Sequence, residues 1–261
     1  MPMVSTESTF IIASITASEK RKVRCYDVPS AFVNTDMDKD VLILLKGELA
    51  EMMIQIAPHV YRKYVTVDRK GTKILYVKLQ KALYGLIRSS LLFYRKLRKE
   101  FEKCGLIVSL YNPCMANKVT EDGNQLTVVW HVDNPMAFWV EDFELTEFSC
   151  YLARIYEPKL TMHTQRKHDY LGVEMEFNKD GTLDVSMFNY LANVIRDFSE
   201  VISSQATTLV ADYLFNIRGK TEARVLEEER ALAFHHTVAQ LLFHVKQSKK
   251  GHPDSSGIPD H

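Results

Sequence analysis

The 261-residue sequence has no net charge, with 33 lysines and arginines against 33 aspartates and glutamates. No global field draws the chain to nucleic acid or to a membrane, so any polyanion site has to be a local patch. Cysteine is scarce: Cys25, Cys104, Cys114 and Cys150 are widely spaced and form no C-x-x-C pair. That argues against a structural zinc site and for free thiols in a reducing compartment. The nine histidines are scattered, without an H-E-x-x-H motif. His235-His236 falls in a predicted helix, where partly buried packing is the plainer role than ligation. Long hydrophobic runs are missing too. The apolar stretch "FIIASI" near the start is too short to span a bilayer and no basic residue precedes it. The expectation is a cytoplasmic or nuclear chain with no signal peptide, transmembrane helix or membrane partner. Repeats and low-complexity tracts are also absent.

What remains is an ordinary globular composition, 46% hydrophobic and 25% charged, long enough to bury a real core. Helical spacing predicts helices over 5–20, 48–64 with an interruption at Pro58, 89–105, 141–156, 188–202 and 226–247. Alternation predicts strands at 22–28 and 40–47. Three hairpins are predicted, over 64–79, 114–134 and 169–187, turned at Lys70-Gly71, Asp122-Gly123 and Asp180-Gly181. The tail 248–261 is polar, rich in Gly, Pro and Ser, and reads as disordered. Mixed helices and hairpins predict an α+β fold, with helices on one face of an antiparallel sheet. Their order matches the split βαβ, ferredoxin-like arrangement.

Two acids stand out by context. Asp27 ends the alternating strand "KVRCYD", and Asp133 ends the apolar strand "LTVVWHVD". If the two strands are neighbours, both carboxylates leave the sheet at one edge and can share a divalent cation. Magnesium favours such a set, completed by waters and phosphate oxygens. Such a site serves two-metal phosphoryl transfer. The bland alternative is two strand-end aspartates facing solvent at turns.

Several blocks carry a family resemblance. "CYDVPSAFVNTDMD" (25–38), "VKLQKALYGLIRSSLLFYRKL" (77–97), "YNPCMANK" (111–118), "WHVDN" (130–134), "HDYLGVEMEFNKDGTLDVSMFNYLANVIRDF" (168–198) and "AFHHTVAQLLF" (233–243) follow one another along the chain. In content and order they resemble the blocks of Ty1/copia-type retrotransposon reverse transcriptases, over roughly residues 5–247. The resemblance implies a polymerase palm with partial fingers over 1–187 and thumb- or connection-like helices over 188–247. It implies Asp27 and Asp133 as palm ligands of two Mg2+ (or Mn2+) ions, with Asn134 in the place of a second catalytic aspartate. Phe32 would be the aromatic floor under the incoming sugar, crowding a 2′-hydroxyl. Ser30 and Ala31 would meet the triphosphate, and Tyr84 and Gly85 would line the nucleotide pocket. Tyr170, Leu171 and Gly172 would form a primer-gripping hairpin. The implied partners are an RNA or DNA template–primer and deoxynucleoside triphosphates. Arg88, Arg95, Lys96, Arg98, Lys99 and Lys103 form a basic helix that could face phosphates, but Glu100 and Glu102 interleave, and a solvated charged face is the alternative. Phe32 and Tyr84 could equally be core aromatics, and Gly85 and Gly172 plain turn glycines.

The sequence departs from the family pattern in ways that bear on activity. Asn134 replaces an acid, and His131 replaces a tyrosine. If position 134 contacts the metals, losing that charge costs roughly 3–5 kcal/mol, or ~10²–10⁴ in rate. Pro135 and the bulky "MAFW" follow where a small, polar stretch is expected. The basic fingers strands of the family, with their K-A-R-L-type segment, do not precede the first helix, and no RNase H motif follows. Two readings are therefore carried forward: an RNA-directed DNA polymerase, active or weakened, and a catalytically inactive palm remnant with at most weak nucleic-acid binding. A metal-dependent nuclease is a weaker third, because no histidine or lysine is placed as a general base.

Overall fold

The computed structural model describes residues 2–156, 160–198 and 226–248. They fall into two compact units, one formed by Met1–Thr9 with Glu19–Gln165, the other by Phe10–Ser18 with Arg166–His261. The first helix, α1 (Thr6–Ser18), contributes residues to both.

The first unit is built on a six-stranded antiparallel sheet. Its strands are β1 (Lys22–Asp27), β5 (Ile107–Val108), β6 (Met115–Val119), β7 (Gln125–His131), β8 (Asn134–Trp139) and β9 (Thr161–His163), in the order β5-β6-β7-β8-β1-β9. Two helices, α4 (Ile87–Lys103) and α5 (Asp142–Tyr156), cover one face. Side chains alternate along a strand, so Trp130 and Tyr26 project to that face. There Trp130 meets Phe101 of α4 edge-on at 5.0 Å, and Tyr26 meets Phe148 of α5 at 5.7 Å. Phe101, Leu97, Leu145 and Leu152 are fully buried between these layers. The path β1, α4, β7, β8, α5, β9 with spatial order β7-β8-β1-β9 is the split βαβ arrangement expected from the sequence.

A buried cation joins β1 to α5. Arg24 donates to Ser149 and Thr146, each at 2.9 Å, and Tyr26 shares a 2.8 Å hydrogen bond with Ser149. On the opposite side of β1 from Arg24, Cys25 is buried in register with Met136 of β8. Burial pushes its thiol well above the ordinary range.

Between β1 and α4 the chain forms a small three-stranded sheet, β2 (Leu42–Lys46), β3 (Thr66–Val67) and β4 (Lys73–Lys78), in the order β2-β4-β3. Helices α2 (Glu48–Ile56) and α3 (Pro58–Tyr61) and a 3-10 turn, Arg62–Tyr64, lie between β2 and β3. The break falls at Pro58, whose missing N–H suits a helix start but not an interior.

The second unit holds the antiparallel sheet β10 (Lys167–Tyr170), β11 (Val173–Phe177) and β12 (Leu183–Ser186), with α6 (Phe188–Asp197) and α7 (Glu228–Ser248). The helix predicted over 188–202 ends at Asp197, and its last residues lie outside the described ones, as does all but the first residue of the polar tail. The first arm of the hairpin expected over 169–187 is divided between β10 and β11, because Leu171 (φ 57°) and Gly172 (φ 73°) make a two-residue turn. Both central residues are left-handed, the pattern of a type I′ hairpin turn. Among the described residues no helix is long and apolar enough to cross a membrane.

Candidate active site

The acid-bearing stretch is a tight hairpin. His131 pairs with Asn134, so Val132 and Asp133 alone make the turn between β7 and β8. Val132 sits at φ 54°, while Asp133 keeps an ordinary negative φ. A single left-handed residue at the first turn position is the type II′ pattern, where glycine is the usual occupant. A β-branched residue there is strained, and strain of this kind collects where a turn must aim a side chain.

The strand beside β1 is β8, not β7. Asp27 therefore neighbours Asp133 through the return strand of the hairpin, a geometry that the sequence reading of two adjacent strand ends did not contain. The Val28 amide donates to the Asp133 carbonyl at 3.0 Å, which fastens the end of β1 to the turn. Asp27 and Asp133 are both half-buried. Burial raises the Asp133 carboxyl above its ordinary value, its own backbone amide and His131 pull it down, and the Asp27 charge raises it further. Burial also holds His131 low, against the pull of Asp133. Asn134 donates from Nδ2 to Asp133 Oδ1 at 3.1 Å.

The segment after β1 folds back on itself. Ser30 is left-handed at φ 57°, the Asn34 amide donates to the Ser30 carbonyl, and the Thr35 amide donates to the Phe32 carbonyl at 2.8 Å. The Thr35 hydroxyl donates to the carbonyl of Ala31, which is itself fully buried. This loop is bound to the segment that precedes α4: Ala82 donates to the Thr35 carbonyl, Met37 to that of Gln80, and Lys81 pairs with Asp36 at 2.6 Å. Buried Ser89 donates to the Leu83 carbonyl at 2.7 Å and fixes the chain one residue before Tyr84. The result is that the Phe32 and Tyr84 rings meet at 4.5 Å. Phe32 is buried, whereas Tyr84 is 60% exposed. The Tyr84 hydroxyl is raised by burial and then by the charges of Asp133 and Asp27. Gly85 follows at φ 92°, with open space where a Cβ would be.

Asp27, Ser30, Ala31, Phe32, Tyr84, Gly85, Asp133 and Asn134 thus all belong to the first unit. Tyr170, Leu171 and Gly172 belong to the second, at the β10–β11 turn, with Tyr170 buried. On α4 the basic residues separate. Arg95, Arg98 and Lys99 are exposed, Arg98 pairing with Glu102 at 2.8 Å. Lys103 pairs with Glu100. Arg88 grips Asp38 through two bonds of 2.6 and 2.5 Å and lowers that carboxyl. Lys96 turns inward. Sequence reading missed Thr35, Ser89 and the strain at Val132. Ser89 carried a signal, since it lies at the buried spacing of Phe93 and Leu92 on α4.

The donor set suits a divalent cation. Two carboxylates near enough for one to raise the other are relieved by a shared positive charge. Among the described residues no group of three or more acidic, histidine or cysteine side chains could hold a metal. Magnesium commonly takes only one or two protein carboxylates, keeping waters and substrate phosphates for the rest. A cavity of about 440 Å3 lies elsewhere in the unit, lined by Cys104, Lys118, Trp139 and Tyr151, and none of the site residues borders it.

Two solved structures are similar in part. Apo telomerase from Candida tropicalis, truncated from the C-terminal domain, aligns with TM-score 0.38 and 12% identity, covering 69% of this chain and 39% of that one. Telomerase from Candida albicans, in complex with a TWJ fragment of telomeric RNA, aligns with TM-score 0.37 and 10% identity, covering 69% and 35%. The chain thus spans well under half the length of either, and similarity of this size says nothing of activity or ligands. No curated protein matches the sequence. The family model described as reverse transcriptase (RNA-dependent DNA polymerase) matches residues 1–210, most of the chain. With Asp27 and Asp133 brought together on a split βαβ sheet, the chain belongs to the reverse transcriptase (RNA-dependent DNA polymerase) family.

Proposed function

We propose that the chain is the polymerase domain of a Ty1/copia-type retroelement, extending a primer along an RNA or DNA template with deoxynucleoside triphosphates. The observation that supports this most is the adjacency of Asp27, at the end of β1, to Asp133 in the neighbouring hairpin turn, fastened by the Val28 amide on the Asp133 carbonyl. These two carboxylates would hold Mg2+ or Mn2+, and the Asn134 side-chain oxygen could add a neutral donor. Such ions, when bound, activate the primer hydroxyl and neutralise the leaving pyrophosphate. Phe32, held against Tyr84, would floor the sugar and crowd a 2′-hydroxyl. Tyr84, kept protonated at neutral pH, would offer a hydrogen-bond donor at the rim. Ser30 and Ala31 would present backbone amides to the triphosphate, beside the left-handed Ser30 turn. Gly85, without a side chain, leaves room at the same rim. The Tyr170–Leu171–Gly172 hairpin would hold the primer, and the exposed Arg95 and Lys99 would contact template–primer phosphates.

Primer extension on an RNA template, with magnesium or manganese and with chelator, tests the reading. Incorporation should require the ion and should vanish in Asp27→Ala. Incorporation no higher than that control with either ion would leave the inactive palm remnant as the better description. Asn134→Asp should raise the rate by up to ~10²–10⁴ if the amide is what limits it.

A further inference from the structure

Lys96 stands in the basic run of α4, yet its ammonium does not face outward. It donates to the Asn34 carbonyl at 2.5 Å and lies 5.7 Å from the centroid of the Tyr156 ring. The side chain is partly buried, and burial lowers its pKa. Its position explains this. Lys96 lies three residues after Phe93 and four after Leu92, both buried, so it occupies the packed arc of the helix.

Asn34 closes the turn that carries Phe32. Its amide reaches back to Ser30, and the next amide, that of Thr35, reaches back to Phe32. The Lys96 bond therefore falls on the closing end of a loop that is otherwise held by its own turn bonds, by the Ala82 amide on the Thr35 carbonyl and by the ring contacts of Phe32. The same ammonium ends a line of aromatic rings: Tyr156 lies 6.4 Å from Phe93, Phe93 lies 6.2 Å from Phe32, and Phe32 lies 4.5 Å from Tyr84. Lysine thus touches the Phe32 loop through its backbone and, through the rings, supports the surface on which Phe32 rests.

We propose that Lys96 is a positioning residue that clamps the Ser30–Thr35 loop, fixing the height of the Phe32 ring in the nucleotide pocket and so the discrimination between deoxyribose and ribose. The sugar-selecting role of Phe32 rests on the function proposed above, whereas the clamp itself does not. A charge-assisted hydrogen bond from a partly buried ammonium to a loop carbonyl is strong enough to set local opening. An ammonium held in this way contributes little to phosphate contact, unlike exposed Arg95 and Lys99 on the same helix.

The test uses the full chain, with Lys96→Met, which keeps the aliphatic stem, and Lys96→Arg, which keeps the charge. Amide hydrogen exchange should speed up roughly tenfold or more at Asn34 and Thr35 in Lys96→Met. It should remain unchanged in the β7–β8 hairpin, and Lys96→Arg should recover most of the protection. In primer extension, Lys96→Met should lower the ratio of deoxyribonucleotide to ribonucleotide kcat/KM, and Lys96→Arg should restore it. Unchanged exchange at Asn34 and Thr35 overturns the clamp, as does acceleration spread evenly over the first unit. If exchange responds locally while no variant, nor the parent, extends a primer, the clamp stands and the polymerase reading falls. If exchange responds and extension proceeds with an unaltered sugar ratio, the selectivity role is overturned.

Discussion

Asp133 carries a penalty in the folded chain. Burial and the Asp27 charge hold its carboxyl above the ordinary value. An unfolded aspartate titrates near about 4. Between that value and the raised folded one, the folded state keeps a proton that the unfolded state has lost. Stability therefore falls as pH rises through this window, and above it the whole penalty is present. Asp133→Asn should raise the melting temperature at about pH 7 and leave it unchanged near about pH 3. Magnesium should then stabilise the parent chain at about pH 7 and leave Asp133→Asn unmoved, as for any ligand that binds only the folded state. A calorimetric series in pH and magnesium checks both. A lower melting temperature for Asp133→Asn at neutral pH would mean that Asp133 stabilises the apo fold.

Two turns bracket the energetics of single elements. Val132, left-handed and β-branched, costs about 1–2 kcal/mol, of which a glycine forfeits roughly 0.5–1 in the unfolded chain. Val132→Gly should thus raise unfolding stability by up to about 1.5 kcal/mol in urea titration. Gly172 is the opposite case, with φ 73° and a Cβ position only 3.3 Å from Tyr190 Cδ2. Gly172→Ala should cost about 1–2 kcal/mol. Elements with strong periodicity were legible in the sequence: α1, the break at Pro58, α4 and α5 all fall where spacing predicts them. Strand β8 was not, because proline is normally excluded from interior strands. Here Pro135 lies buried opposite Trp130, with a fully apolar continuation. Strands β5 and β9 are too short, at two and three residues, to show alternation. At the site, Asp27, Phe32 and Tyr84 could be named from their blocks, but not the order β7-β8-β1, which only long-range pairing decides. The inward turn of Lys96 was readable from its helical phase and was masked by the charged run around it.

For the molecule as a whole, zero net charge means that binding to nucleic acid would rest on a few local cations. Arg88, Arg98 and Lys103 already serve internal carboxylates, leaving Arg95 and Lys99 as the exposed contributors of α4. Affinity for a primer–template duplex, followed by anisotropy, should weaken with salt, and replacing both residues with alanine should flatten the log–log slope by about 2. An unchanged slope would place the contacts elsewhere. The four cysteines differ as sharply in reach as these cations do in engagement. Cys150 alone is exposed, while Cys25 is buried on the sheet face opposite Arg24, two residues before Asp27. An alkylating reagent would thus consume one thiol at once and reach Cys25 only when the cover over that face of the acid-bearing strand opens. The lag between the two reactions, read by mass spectrometry, is a built-in clock for how often the face behind the first acid is laid bare.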